Sequence, residues 1–167
     1  MSGDDVIDFY RRFNVSGIEV WIDGGWGVDA LLGHQTRTHG DLDIVIQQHD
    51  VAVALEIIKA VGFAEITRDD SRAWNFVYGD DGVRLIDFHV VEFAADGNGI
   101  YGPIENGDFY PAEAFTGKGE ICHHPVKCIS VAYQVQSHTG YALREIDYQD
   151  MQRLHAAFGV SLPDGYE

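Results

Sequence analysis

The stretch from Glu19 to Ile46, EVWIDGGWGVDALLGHQTRTHGDLDIVI, decides how this chain is read. It opens as a short apolar strand, Val20 to Ile22, that ends at the turn Asp23-Gly24-Gly25. A short helix over Trp26 to Leu32 follows, stopped by Gly33, and 34–40 is a polar loop. Asp41 to Ile46 then alternates acid and apolar residues, which suits a strand packed on one side and facing a site on the other. Side chains two apart on a strand share a face, so Asp41 and Asp43 project together. Glycine lets backbone approach a ligand closely, and the free N–H groups of a helix start carry partial positive charge, so Gly24 and Gly25 could cradle a phosphate. Each feature has an ordinary reading too: Gly-Gly as a plain strand-to-helix joint, and Asp-x-Asp as a solvated strand end.

Before this stretch, Val6, Phe9, Tyr10 and Phe13 stand at helical spacing over Asp4 to Phe13, with Ser2 and Asp5 as the start signal. After it, Asp50 begins a helix through Val61 that turns Val51, Leu55 and Ile58 inward and stops at Gly62. Phe63 to Arg68 suits an edge strand. Arg72 to Tyr78 and Val83 to Val91 flank Gly79-Asp80-Asp81-Gly82 and read as a hairpin with a four-residue turn. From Phe93 to Glu120 the chain is rich in Gly, Asp, Asn and Pro and weakly periodic, a long surface segment with room for one short strand. Segments of this kind form lids or binding walls. Ser130 caps a helix running to His138 before Gly140, and a last helix from about Asp147 places Tyr148, Met151, Leu154 and Phe158 on one face before Gly159. With no repeat or linker, residues 1–167 form one domain with a C-terminal helical portion at about 130–159.

A third acid joins the pair. In Leu85-Ile86-Asp87-Phe88-His89-Val90, Asp87 and His89 project on one face of an apolar strand. A buried, unpaired carboxylate there costs several kcal/mol, so Asp87 needs a partner. A metal is one; Arg84 or another basic residue is the structural alternative. Mg²⁺ prefers a few carboxylate oxygens completed by water and substrate phosphates. Two such ions about 4 Å apart activate an attacking oxygen and stabilise a leaving pyrophosphate. Asp87 could take the proton of an acceptor hydroxyl, with His89 the competing base and also a candidate structural hydrogen-bonding group. Arg37 and His39, in the loop before the acid pair, could contact a triphosphate or simply be solvated.

Composition narrows the partners. With 27 acidic against 11 basic residues the formal charge is -16, and no basic stripe for nucleic acid is visible. A small cationic substrate matches better. No apolar run reaches the roughly 20 residues of a membrane span, and the acidic N-terminus lacks signal-peptide features, so a cytoplasmic location is expected. Two cysteines, Cys122 and Cys128, are too few for a disulfide framework. Their spacing around His123 and His124 matches no common zinc site.

These residues resemble the polymerase-beta-like nucleotidyltransferase superfamily: Gly24-Gly25 is followed after fifteen residues by Asp41-Leu42-Asp43. More narrowly, Trp21 to Asp29, Arg37 to Asp43 and Leu85 to His89 resemble the small antibiotic nucleotidyltransferases that inactivate lincosamides, and their aminoglycoside 2''-adenylyltransferase relatives. Lys127 to Ser130 and His138 to Tyr141, followed by Asp147 and Asp150, are closer to the lincosamide branch. The resemblance implies an α/β (α+β) fold, a mixed twisted sheet flanked by helices. It implies transfer of a nucleoside monophosphate from ATP or another NTP, with Mg²⁺, to a hydroxyl of a small molecule, and it allows a homodimer. By motif position Asp41 and Asp43 become metal ligands, and Asp87 the third carboxylate and base. Gly24, Gly25, Trp26, Arg37 and His39 fall on the nucleotide side; His89, Glu92, His138 and Tyr141 border the acceptor. Where the superfamily often has Ser after Gly-Gly, this chain has Trp26, so phosphate contact there falls to backbone N–H and the indole is expected to shape the pocket. Transfer onto a protein or tRNA, as in toxin-antitoxin relatives, and a catalytically silent nucleotide-binding domain are the competing functions.

Overall fold

The alternation of Asp41 to Gln47 sorts its side chains onto two faces of a sheet, and the rest of the chain is arranged on those faces. A computed structural model describes residues 1–81, 83–139 and 142–166. Its elements are α1 (Gly3–Val15), β1 (Val20–Asp23), α2 (Gly24–Leu32), β2 (Asp41–Gln47), α3 (Val51–Lys59), β3 (Ala64–Ile66), β4 (Asn75–Asp80), β5 (Arg84–Phe93), β6 (Gly99–Tyr101), β7 (Phe109–Tyr110), β8 (Gly117–Ile121), β9 (His124–Cys128), α4 (Val131–Ser137) and α5 (Glu145–Phe158). The sheet order is β3-β4-β5-β2-β1-β9-β8, with β6 on the end of β5 and β7 on β6. The β2–β5 and β1–β9 pairs are parallel and the others antiparallel, so the sheet is mixed as expected.

Leu42, Ile44 and Ile46 of β2, Ile86, Phe88 and Val90 of β5, and Val20 and Ile22 of β1 point to one face. There they join Val6, Phe9 and Phe13 of α1 and Ala54 and Ile58 of α3 in the main core. Full burial of each large apolar side chain contributes about 1.5–3 kcal/mol, so this face carries much of the stability. On the other face Trp21, Val45 and Val91 pack with Tyr110, Ala114 and Ile129 in a smaller core that covers only part of the sheet. A third cluster, Val28, Val135, Met151 and Leu154, joins α2, α4 and α5.

Local signals explain the ends. Ser2 and Asp5 form a reciprocal capping box at the start of α1. Gly33 and Gly159 end α2 and α5 in the left-handed conformation that glycine adopts without penalty. Several boundaries differ from expectation. The α2 helix starts at Gly24, so both glycines belong to its first turn. Asp50 makes no capping bond; a 3₁₀ turn at Gln48–Asp50 leads into α3. Ser130 stands at the N-cap of α4 without bonding through its hydroxyl. Pairing of Asp80 with Arg84 makes the hairpin turn tighter than four residues, and Gly79 lies inside β4. The weakly periodic segment holds β6 and β7 and leads into the β8–β9 hairpin, whose turn places Cys122 and His123 at φ 48° and 62°. No helix among the described residues is long and apolar enough to cross a membrane.

Candidate active site

Three neighbouring strands bring carboxylates into one row on the partly covered face. Register sets Asp23 of β1 opposite Asp43 of β2, and Asp43 opposite Asp87 of β5; Asp41 lies one pleat from Asp43 on the same face. Thus Asp41, Asp43 and Asp87 meet, and Asp23 joins them. Asp23 also caps α2: its Oδ1 accepts the Gly24 N–H at 2.8 Å and a Gln134 side-chain N–H from α4 at 2.9 Å. Burial pushes the Asp23 pKa up; His89 opposes and Asp43 adds to it. Gly24, at φ 56°, is pressed against the row so closely that a Cβ there would overlap the Asp43 carboxylate. Only glycine combines that backbone angle with that approach.

Asp87 is perturbed as well. Burial raises its pKa to about 6; His89 and Arg68 pull it down, while Asp43 and Asp41 push it up. Its Oδ2 faces the Arg68 guanidinium at 3.6 Å, whereas its Oδ1 is buried with no hydrogen-bond partner. Arg84, the alternative partner, is committed to Asp80 at 2.6 Å and Asp5 at 3.0 Å. Burial and then Asp43 raise the Asp41 pKa. His89 places Nε2 3.8 Å from Asp43 and Nδ1 3.3 Å from the Tyr101 hydroxyl. Burial opposes its charge, but the facing Asp43 carboxylate and the charges of Asp23 and Asp87 win, raising its pKa to about 9.

Among the described residues no three His, Cys, Asp or Glu side chains close into a metal cage. The acid row still suits Mg²⁺: it offers a buried carboxylate oxygen without a partner, and this ion takes one or two carboxylates and fills its shell with water and phosphate.

The long segment after β5 brings Tyr101 beside His89 at the acid row. Tyr101 and Tyr110 meet with ring centroids 5.7 Å apart, and Tyr110 meets Tyr133 of α4 at 4.9 Å. Burial, with the charges of Asp23 and Asp108, pushes the Tyr133 hydroxyl up to about 12. Tyr133 also lines a cavity of about 730 Å³ between this segment and α4, together with Asp108, Phe109, Glu113 and Gln136.

The remaining expected residues divide. A Cβ on Gly25 would lie 2.5 Å from both Arg37 Nη2 and His39 Nδ1, so both bases gather over the first turn of α2. Arg37 is not a free cation, because its guanidinium donates to Asp150 of α5 at 2.7 and 3.2 Å. His39 is buried and its Nε2–H donates to Asp29 at 2.5 Å. Trp26 departs from the expectation for its indole: the ring is 2% exposed in the main core, tilted against His39 with centroids 4.6 Å apart, so only its backbone reaches the helix start. Glu92 also departs, because strand alternation turns it to the face opposite Asp87 and His89. His138 ends α4, its Nδ1–H donating to the Gln134 carbonyl at 2.6 Å. Tyr141 and the expected helix stop at Gly140 lie outside the described residues.

A family profile described as aminoglycoside-2''-adenylyltransferase matches residues 5–154. The chain belongs to this family. Membership makes it a nucleotidyltransferase. A lincosamide resistance protein of Staphylococcus haemolyticus is 27% identical over 150 residues, 89% of each chain. The lincosamide antibiotic adenylyltransferase LnuA, solved with lincomycin bound, superposes with a TM-score of 0.80 at 24% identity, covering 92% of this chain and 96% of that one. The aminoglycoside enzyme ANT(2'')-Ia, solved with adenylyl-2''-tobramycin, gives 0.72 at 20% identity over 94% and 89%. These structures confirm the family fold.

Proposed function

We propose that this chain transfers a nucleoside monophosphate from ATP or another NTP to a hydroxyl of a small cationic antibiotic, a lincosamide first. The observation that carries the reading is the contact of Gly24 with Asp43: it sets the phosphate-cradling start of α2 against an acid row whose Asp87 Oδ1 lacks a partner.

In this reading Asp41, Asp43 and Asp87 hold Mg²⁺, two ions when the nucleotide is bound. Bound there, the metal supplies Lewis acidity toward the phosphates and the acceptor oxygen. Gly24, Gly25 and the Trp26 backbone receive the triphosphate, with Arg37 and His39 over them. Asp87, with its raised pKa, accepts the hydroxyl proton; His89 is held charged between Asp43 and Tyr101 and is better placed to fix Asp43 than to act as base. The acceptor lies against the wall of Tyr101, Tyr110 and Tyr133, where excess negative charge favours a protonated amine. His89 and His138 border it. Resemblance to the lincosamide resistance protein supports a lincosamide. An aminoglycoside 2''-hydroxyl is the second reading, favoured by the family's description. A homodimer sharing one site belongs to the same proposal, and sedimentation of the purified chain tests it.

The chain, ATP and Mg²⁺ should be incubated with a panel of lincosamides and aminoglycosides and the products weighed by mass spectrometry. An AMP-sized increase on a lincosamide is expected; absence of product from every member of the panel rejects the antibiotic reading.

A further inference from the structure

The loop over 34–40 is tied to the last helix of the chain. Arg37 donates through Nε at 3.2 Å and through Nη2 at 2.7 Å to Oδ2 of Asp150, which stands 113 positions later in α5. Arg153, one turn further along α5, donates to the other oxygen, Oδ1, at 3.0 Å. The Asp150 residue is 3% exposed, so this carboxylate is held inside the protein between two guanidinium groups. One carboxylate shared by two cations leaves the cluster with positive charge, in a chain whose formal charge is -16.

We infer that Asp150 is a positioning residue for the nucleotide donor, aiming the Arg37 guanidinium at its phosphates. The inference rests on the nucleotidyl-transfer reading and extends it to a helix outside the acid row. Asp150 can impose a position because its own is fixed. Its neighbours Met151 and Leu154 are fully buried in the cluster that includes Val28 of α2, so α5 is seated on the same helix whose first turn faces the acids. A Cβ on Gly25 would lie 2.5 Å from Arg37 Nη2, the nitrogen that Asp150 holds most closely. Nη2 carries two hydrogens, and Asp150 takes one of them, which leaves the second for a ligand at the start of the nine-residue α2. First-turn N–H groups have no carbonyl partner within their own helix. A phosphate oxygen would accept from these groups and from Nη2–H together, a charge-assisted contact. Arginine keeps its charge across the working pH range, so the contact needs no change of protonation. Released from Asp150, the long side chain would have to be ordered by the nucleotide itself, and binding would carry that entropic cost.

The test is calorimetric titration of the full chain with ATP and Mg²⁺, which needs no acceptor, alongside steady-state kinetics and thermal melts. Asp150→Asn should weaken ATP binding and raise KM for ATP by about tenfold, the loss of a charge-assisted hydrogen bond, with kcat and KM for the acceptor unchanged. Arg37→Ala should lose at least as much, and the double variant should bind ATP no more weakly than Arg37→Ala alone. Arg37→Lys keeps the charge but not the fork that spans carboxylate and phosphate, so it should bind ATP as weakly as Asp150→Asn. Arg153→Ala, which removes the partner of Asp150 within α5, should keep ATP affinity within about twofold. A lowered Tm with unchanged ATP affinity in Asp150→Asn, full affinity in Arg37→Lys, an equal loss in Arg153→Ala, or losses that multiply in the double variant would each overturn the inference. Should Asp150→Asn fail to fold, the two Arg37 variants decide by the same readings. If no acceptor is modified while this binding pattern holds, the transfer reading fails and the positioning role stands.

Discussion

Asp87 and Phe88 are consecutive in β5, yet they serve opposite faces of one sheet. Phe88 is fully buried, stacked on Phe76 with ring centroids 5.1 Å apart and closed in by helices. Asp87 stands in a row of acids that repel one another and face a wall of tyrosines. The helix-covered face has no chemistry to offer, and the acid face gives up stability for it. The two-residue strand period keeps these demands apart, so a change at one position should leave the other face's property largely intact.

The sharpest way to break the comparison is Asp87→Asn. Transfer should fall at least about 10³-fold in a product assay, while the fold survives and the metal-free protein melts no lower, because a buried charge has gone. Phe88→Ala should do the reverse, costing about 3–5 kcal/mol in denaturant unfolding while molecules that stay folded keep an intact acid row. The pH dependence separates the faces next. The Asp87 pKa is raised in the fold from 3.8 to about 6. Between those values the folded chain holds a proton that the unfolded chain has released, so metal-free stability should drop as pH rises through this window. The drop amounts to up to about 3 kcal/mol and is absent in Asp87→Asn. His89 works in the same direction at higher pH, its contribution complete below 6.5 and lost as pH climbs through about 9. Mg²⁺ competes with these protons, so the rise in Tm that it produces should grow from pH 5 to 7. The smallest effect is expected at the joint: Gly24→Ala should cost about 1–3 kcal/mol through its backbone angle and weaken Mg²⁺ dependence by displacing Asp43.

Much of this was legible because the signals are local. Ser2 with Asp5, the alternation of Asp41 to Ile46, and Asp87 with His89 inside an apolar run each declare a face or an end within a few residues. What escaped depends on partners far along the chain. Nothing near Asp23 says that it will pair in register with Asp43, or that Gln134 will reach it from α4. Arg68 ends an expected edge strand, and nothing near it says that its guanidinium will face Asp87. The β8–β9 hairpin lacks the Asn-Gly or Asp-Gly signal because its turn uses Cys122 and His123 in a conformation such residues seldom adopt. Trp26 was misplaced for a related reason: a helix start at Gly24 turns the ring into the core, and the glycine pair alone does not set that start. Glu92 was placed by resemblance, although it stands three positions from His89 and so on the opposite face.

The parallel pairing of β2 with β5 has a consequence in time. Parallel neighbours cannot be joined by a tight turn, so Asp43 and Asp87 meet only after the intervening chain has formed α3, β3 and β4 and β5 has entered between β4 and β2. Closing so long a loop is slow compared with making a hairpin. The acids therefore gather late, and a chain emerging from the ribosome has no competent cation site until β5 is synthesised.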